Sequence, residues 1–85
     1  MRRILFVDDQ PDVLNAHRES LKKYSGQVEP EFVLGGKAAL EMVRTTPVDV
    51  LVTDMHMPEM DGPELLRIVK DERPDDAWVW IMGDD

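Results

Sequence analysis

The segment VDVLVTDMHMPEMDG, Val48–Gly62, decides the fold of this chain. It begins with a nearly continuous apolar run, interrupted by Asp49, and such a run is typical of a central strand in a parallel sheet covered on both faces. The run stops at Thr53–Asp54, and ligands of open α/β sheets bind at the carboxyl ends of the strands. Asp54 is therefore the first candidate functional residue, and the Pro- and Gly-containing segment after it predicts a loop before a helix.

A second strand-like run has the same form, because the largely apolar segment Arg3–Val7 is followed by Asp8 and Asp9. Two parallel strands would bring these acids and Asp54 to one edge of the sheet. Carboxylates packed together raise each other's pKa unless a cation lies among them, and an all-oxygen cluster suits Mg²⁺. Acids that follow strands also serve as helix N-caps or solvated turn residues, but their occurrence after two strands favours a metal site.

The rest of the chain continues the alternation of strand and helix patterns, in the order βαβαβαβ, and its fourth strand pattern covers Ala77–Met82. The second strand pattern, Val28–Leu34, contains Pro30, which has no amide donor and fits an edge strand. Gly35–Gly36 predicts a turn and a helix start rather than a phosphate loop. Right-handed crossovers then predict one flavodoxin-like α/β domain, a three-layer sandwich with a parallel sheet of order 2-1-3-4.

The first helical pattern follows Pro11 and carries apolar residues at helical spacing up to Tyr24, before Ser25 and Gly26 end the helix. His17 interrupts this apolar stripe. We expect it to be a partly buried helix residue rather than a metal ligand.

Composition agrees with one small domain of 85 residues. With 10 basic against 18 acidic residues, the net charge of −8 argues against direct binding to nucleic acid or to an anionic membrane surface. The chain has no cysteine and therefore no disulfide framework. It shows neither the apolar region of a signal peptide nor a segment apolar enough to span a membrane, which predicts a cytoplasmic protein.

Two segments, LFVDDQPDVL at 5–14 and VTDMHMPEMDG at 52–62, resemble the receiver domain of two-component response regulators. The second is highly specific, and the resemblance extends over essentially the whole chain, 1–85. It implies that Asp54 is the phosphoryl acceptor, that a sensor histidine kinase is the donor, and that Asp8 and Asp9 position Mg²⁺. It also implies that the backbone carbonyl of His56, two residues after the acceptor, binds the metal.

The last part of the sequence departs from the receiver pattern. Receiver domains continue to a fifth helix and to a fifth strand, whose lysine contacts the phosphoryl group; neither element occurs in 1–85, which predicts a C-terminally incomplete domain. At the end of strand four, where the family has Ser or Thr before a small residue, Met82 precedes Gly83. Because such donors neutralise phosphoryl oxygens, their loss predicts weak or absent phosphorylation while the metal site persists.

Without a fifth strand, strand four becomes an apolar sheet edge that carries Trp78 and Trp80. Monomers avoid long apolar edges, so either the chain is a fragment or another chain covers this edge. Pairing between identical protomers is one route to such cover. The two tryptophans also fit core positions at strand alternation.

The sequence therefore predicts a non-enzymatic receiver that accepts a phosphoryl group on Asp54 with Mg²⁺ and is impaired by truncation. One alternative is a phosphate-independent pseudo-receiver that serves as an interaction or dimerisation module. Another is a Mg²⁺-dependent phosphatase with Asp54 as nucleophile, although His56 stands where a dehalogenase-like motif has its second acid.

Overall fold

The computed structural model describes residues 2–24, 26–54 and 57–72, together with the backbone of 78–82. Within these ranges, strands and helices alternate along the chain. The strands are β1 (Arg2–Asp8), β2 (Val28–Leu34), β3 (Val50–Asp54) and β4 (Trp78–Met82). The helices are α1 (Pro11–Leu21), α2 (Gly36–Thr45) and α3 (Gly62–Glu72), and a 3₁₀ turn (Lys22–Tyr24) follows α1.

The four strands form a parallel sheet in the order β2-β1-β3-β4, which confirms the predicted topology. β1 lies in the interior of the sheet and pairs with both β2 and β3. Pro30 pairs with Ile4 from the outer strand β2. Its edge position is consistent with the missing amide donor, because an edge strand has one side without a neighbouring strand.

The side chains of β1 alternate between the two faces of the sheet. Leu5 and Val7 belong to a core on one face, which includes Ala39, Leu40 and Val43 of α2, Leu65 and Val69 of α3, and Val48, Leu51 and Met57. On the other face, the ring of Phe6 stacks on half-buried His17 of α1, with 5.0 Å between the ring centroids. The fold is therefore the predicted three-layer sandwich, and His17 is the partly buried helix residue that the sequence indicated.

The start of β3 differs from the sequence prediction, because the strand begins at Val50 and not at Val48. Just before it, the Arg3 amide donates to the Asp49 carboxylate at 2.8 Å, and the Asp49 amide donates to the Arg3 carbonyl at 2.9 Å. A side-chain oxygen therefore takes the place of one backbone acceptor at this point of the ladder. Val48 is still buried in the core, although it precedes the strand.

The end of α1 also differs from the prediction. The helix ends at Leu21, so Tyr24 lies in the 3₁₀ turn and its side chain is 43% exposed rather than part of the apolar stripe. Gly26, which follows, has a φ of 91°, a conformation that favours glycine. None of the described helices has both the length and the apolar character needed to cross a membrane.

β4 pairs with β3 and is the outer strand on that side of the described sheet. Ala77, predicted as the first residue of this strand, lies outside the described residues, as do the side chains of Trp78 and Trp80. Homodimerisation through this edge therefore stays a prediction.

Candidate metal centre

The register of the sheet brings the acidic residues together. β1 and β3 pair up to Val7 opposite Thr53, so Asp8 and Asp54 come next on neighbouring parallel strands, at the same edge. Asp9 follows directly. One carboxylate oxygen from each of Asp8, Asp9 and Asp54 lies within 4.8 Å of the others. The structure thus places together the three acids that the sequence singled out, while their roles stay predictions.

Asp8 is the most buried of the three acids. Asp8 is 6% exposed, and its Oδ1 accepts a hydrogen bond from the Gln10 amide at 3.0 Å. Burial raises the pKa of the Asp8 carboxyl, the Gln10 amide lowers it, and the nearby charges of Asp54 and Asp9 raise it further. The net direction is upward, so the ionised form of Asp8 is disfavoured in the folded chain.

Asp9 provides a separate indication of a cation. Its Oδ1 is buried and has no hydrogen-bond partner in the described part of the chain. A buried carboxylate oxygen without a partner is costly, and a bound cation would satisfy it. Three carboxylates in an all-oxygen cluster are the donors that Mg²⁺ prefers, so the residues present fit this ion. His56, whose carbonyl was predicted as a further ligand, lies outside the described residues.

The turn between β2 and α2 supports the acidic edge through its backbone. The Gly35 amide donates to the Asp8 carbonyl at 2.9 Å, and Gly35 has a φ of 86°. The sequence predicted a turn at these glycines, and α2 indeed begins at Gly36. The contact with Asp8 was missed, because a hydrogen bond between two backbone groups leaves no pattern of residue types.

The loop that leads into α3 ends at Asp61. Asp61 Oδ1 accepts a hydrogen bond from the Glu64 amide at 2.9 Å, and the Asp61 carbonyl accepts one from Leu65 at 3.0 Å. These bonds satisfy amides that the first turn of a helix leaves free. The helix therefore starts at Gly62.

A cavity of about 300 Å³ opens beside the acidic cluster. Its lining comes from Asp9, from the β2–α2 turn and from the loop before α3, through Leu34, Gly35, Gly36, Lys37, Met57, Pro58, Glu59 and Met60. Lys37 Nζ in α2 and the Glu59 carboxylate in the loop before α3 lie 3.7 Å apart. Sequence reasoning missed this cavity, because it treated the apolar residues of the loop only as the connection to a helix.

Comparisons with known proteins agree with this fold. The family model described as response regulator receiver domain matches residues 4–84. The response regulator receiver protein CpdR of Brucella abortus is 36% identical over 83 residues, which cover 98% of this chain and 68% of CpdR. Two longer relatives are matched over only 34% and 8% of their own lengths, so the chain corresponds to a part of them.

Solved structures show the same architecture. The response regulator protein TrrA from Thermotoga maritima, in complex with Mg²⁺–BeF, has a TM-score of 0.87 at 26% identity, with 98% of this chain and 70% of TrrA covered. The complex of histidine kinase ThkA with TrrA gives a TM-score of 0.86 at 26% identity, and the match covers 98% of this chain and 69% of the matched chain. By its sheet order, its acidic edge and these matches, the chain belongs to the response regulator receiver domain family.

Proposed function

We propose that this chain accepts a phosphoryl group on Asp54 from a sensor histidine kinase. The observation that carries the proposal is the cluster of Asp8, Asp9 and Asp54, whose oxygens lie within 4.8 Å of one another at the carboxyl edge of the sheet. Asp54 is the last residue of β3 and is half-buried. The strand fixes its backbone, and the partial exposure leaves its carboxylate accessible to a donor.

Asp8, Asp9 and Asp54 would hold Mg²⁺ together with the backbone carbonyl of His56. The bound ion would neutralise charge on the phosphoryl oxygens during transfer. Asp54 acts as the nucleophile: its carboxylate oxygen forms a bond to phosphorus as the bond from phosphorus to the donor histidine nitrogen breaks. The products are an acyl phosphate on Asp54 and a free imidazole on the kinase.

The choice of a sensor histidine kinase as partner is supported by two relatives. TrrA, which has the same fold, was crystallised in complex with the histidine kinase ThkA. A segment that is 37% identical to this chain also occurs within the sensor histidine kinase TmoS of Ectopseudomonas mendocina. We infer that the acidic edge, where Asp54 lies, is the surface that meets the kinase.

We expect phosphorylation of the 85-residue chain to be slow. At the end of β4, Met82 stands where the family has Ser or Thr, so that hydroxyl donor is missing. Removal of one well-placed donor commonly costs on the order of 3 kcal/mol in the transition state, or about a hundredfold in rate. Labelling that is nevertheless fast would show that this chain does not need the hydroxyl donor.

The test combines a Mg²⁺ titration with labelling by a small phosphodonor, such as acetyl phosphate, followed by intact-protein mass spectrometry. We expect saturable Mg²⁺ binding and slow labelling that is lost in EDTA and in Asp54→Asn. Asp61→Asn is the matched control, because it removes a nearby charge outside the cluster and keeps an oxygen for the helix cap. Equal labelling of Asp54→Asn and of the wild-type chain would contradict the proposal.

A second candidate function is a phosphate-independent interaction module. It is favoured by the position of β4, the outer strand beyond β3 in the described sheet, since an outer strand can pair with another chain. In this proposal two identical protomers pair through the edge that carries Trp78 and Trp80. Light scattering would show a dimer that phosphodonor leaves unchanged, whereas a monomer at all concentrations would contradict it.

A further inference from the structure

Gly36, the first residue of α2, lies directly against Met60 in the loop that precedes α3. A Cβ built on Gly36 would lie 2.9 Å from Sδ of Met60, 3.0 Å from its Cβ and 3.1 Å from its Cγ. Ordinary contacts of a Cβ begin at 3.4 Å, so an added Cβ fits only if Met60 or the helix moves. Gly36 is also buried.

On the helix side, the contact between Gly36 and Met60 is connected to the acidic cluster through Gly35. The residue before Gly36, Gly35, donates its amide to the Asp8 carbonyl at 2.9 Å. The start of α2 is thereby fixed relative to the Asp8–Asp9 pair.

On its other side, the contact involves the loop that follows Asp54. Within this loop, Met57 is buried in the core at 8% exposure, and Met60 packs against the same core. Asp61 then begins the helix cap. The loop is therefore held at its end, and Gly36 sets how closely it approaches the β2–α2 turn.

We propose that Gly36 and Met60 form a positioning contact that holds the start of α2 and, through the Gly35–Asp8 hydrogen bond, the Asp8–Asp9 pair, and that it thereby sets the affinity for Mg²⁺. This inference rests on the proposed metal site and extends it to two residues that are not ligands. Mg²⁺ requires near-ideal octahedral geometry, so a small displacement of the Asp8–Asp9 pair is enough to weaken its binding.

Gly36→Ala is the direct test of this contact. A different Met60 rotamer can move Sδ and Cγ away from the added methyl group, but Met60 Cβ is fixed by the backbone and lies only 3.0 Å away. The loop or the start of α2 must therefore shift by a few tenths of an ångström. Groups that orient metal ligands commonly contribute about ten- to a hundredfold to metal affinity, so we expect the Kd for Mg²⁺ to rise about tenfold.

The measurements are the Kd for Mg²⁺ by calorimetry and the midpoint of urea unfolding in EDTA. Gly26→Ala is the matched control for lost stability, because Gly26 has a φ of 91° and its added Cβ would have no neighbour within 4 Å. We expect this control to unfold at lower urea and to keep the wild-type Kd. A purely structural role of Gly36 would give both alanine variants the same Kd as the wild-type chain.

Met60→Gly provides the rescue experiment, because it removes Sδ and Cγ and also the Cβ that lies 3.0 Å from an added methyl group. Alone, it is expected to raise the Kd about threefold, since the start of α2 loses its contact with the loop. In this background, Gly36→Ala should raise the Kd by a clearly smaller factor than in the wild-type chain. The same factor in both backgrounds would overturn the inference, and if Gly36→Ala does not fold, an unchanged Kd of Met60→Gly would do so.

Failure of this inference can be distinguished from failure of the metal site itself. If the wild-type chain does not bind Mg²⁺, the metal site and the positioning contact are both wrong. If the wild-type chain binds Mg²⁺ and Asp9→Asn does not, the site is supported. In that case an unchanged Kd of Gly36→Ala would overturn the positioning contact alone.

Discussion

Replacing Asp8 by Asn removes one of the three clustered negative charges and keeps the shape of the side chain. The Asn oxygen can still accept the hydrogen bond from the Gln10 amide, so the main change is electrostatic. Two unit charges 4.8 Å apart repel by about 1 kcal/mol even at the dielectric constant of water. Because Asp8 has two such neighbours, Asp9 and Asp54, Asp8→Asn should raise the free energy of unfolding by about 1–2 kcal/mol in Mg²⁺-free buffer.

The pH dependence of this gain follows from the raised pKa of Asp8. Its pKa in the folded chain lies above the ordinary value of 3.8, so the folded state binds this proton more tightly than the unfolded state. The stability that protonated Asp8 contributes to the folded state is fully present below pH 3.8, and it is lost as pH rises through the raised pKa. Asp8→Asn and the wild-type chain should therefore be similarly stable in acid, and the variant should be the more stable one near neutral pH.

Mg²⁺ should offset the advantage of the variant. A ligand at ten times its Kd stabilises the folded state by about 1.4 kcal/mol, and only the wild-type chain should gain this amount. The assay is urea unfolding followed by circular dichroism, in EDTA and in Mg²⁺, with Asp61→Asn as the control for a charge removed elsewhere. If Asp8→Asn is less stable than the wild-type chain in EDTA near neutral pH, the electrostatic reasoning is refuted.

Further substitutions test the packing and the backbone, each by the free energy of unfolding in urea. Leu51→Ala at a fully buried side chain should cost about 3 kcal/mol, whereas Leu34→Ala at a side chain with 55% exposure should cost less than about 0.5 kcal/mol. Gly35→Ala should cost about 1–2 kcal/mol, because it forces a Cβ into a backbone with a φ of 86°. Asp61→Ala should cost about 1 kcal/mol, because the Glu64 amide loses its cap.

Each of these substitutions has an outcome that would contradict its reasoning. Equal losses for Leu51→Ala and Leu34→Ala would contradict the difference in burial. A Gly35→Ala variant as stable as the wild-type chain would show that the turn accepts a negative φ. Asp61→Asn should stay close to the wild-type chain, since it keeps the accepting oxygen, and a loss as large as that of Asp61→Ala would contradict the capping role.

Much of the fold could be predicted from the sequence, because its main signals are local. The apolar run at Val50–Val52 predicts a strand covered on both faces, and Leu51 is indeed fully buried. Pro30 predicts an edge strand, and β2 lies at the edge. The start of β3 could not be predicted, because it depends on the Asp49 carboxylate reaching the amide of Arg3, which is remote in the sequence.

The acidic cluster could be predicted for a similar reason, and its surroundings could not. Parallel strands bring their carboxyl ends to one edge, so acids that follow two such strands are expected to meet. The bond between Gly35 and Asp8 depends on backbone conformation, and the contact between Gly36 and Met60 depends on how closely the start of α2 approaches the loop before α3. Neither property is encoded in a spacing of residue types.

The position of β1 between β2 and β3 has a consequence for folding kinetics and hydrogen exchange. Asp8 and Asp54 come from opposite halves of the chain and meet only after β2 and α2 have been enclosed in a long loop between paired strands. Opening of the β1–β3 ladder separates them, so a cation bound there opposes every opening that breaks this ladder. We therefore expect Mg²⁺ to slow amide exchange along the whole β1–β3 ladder, from the acidic edge to its far end at Ile4 and Val50, which contribute no ligand.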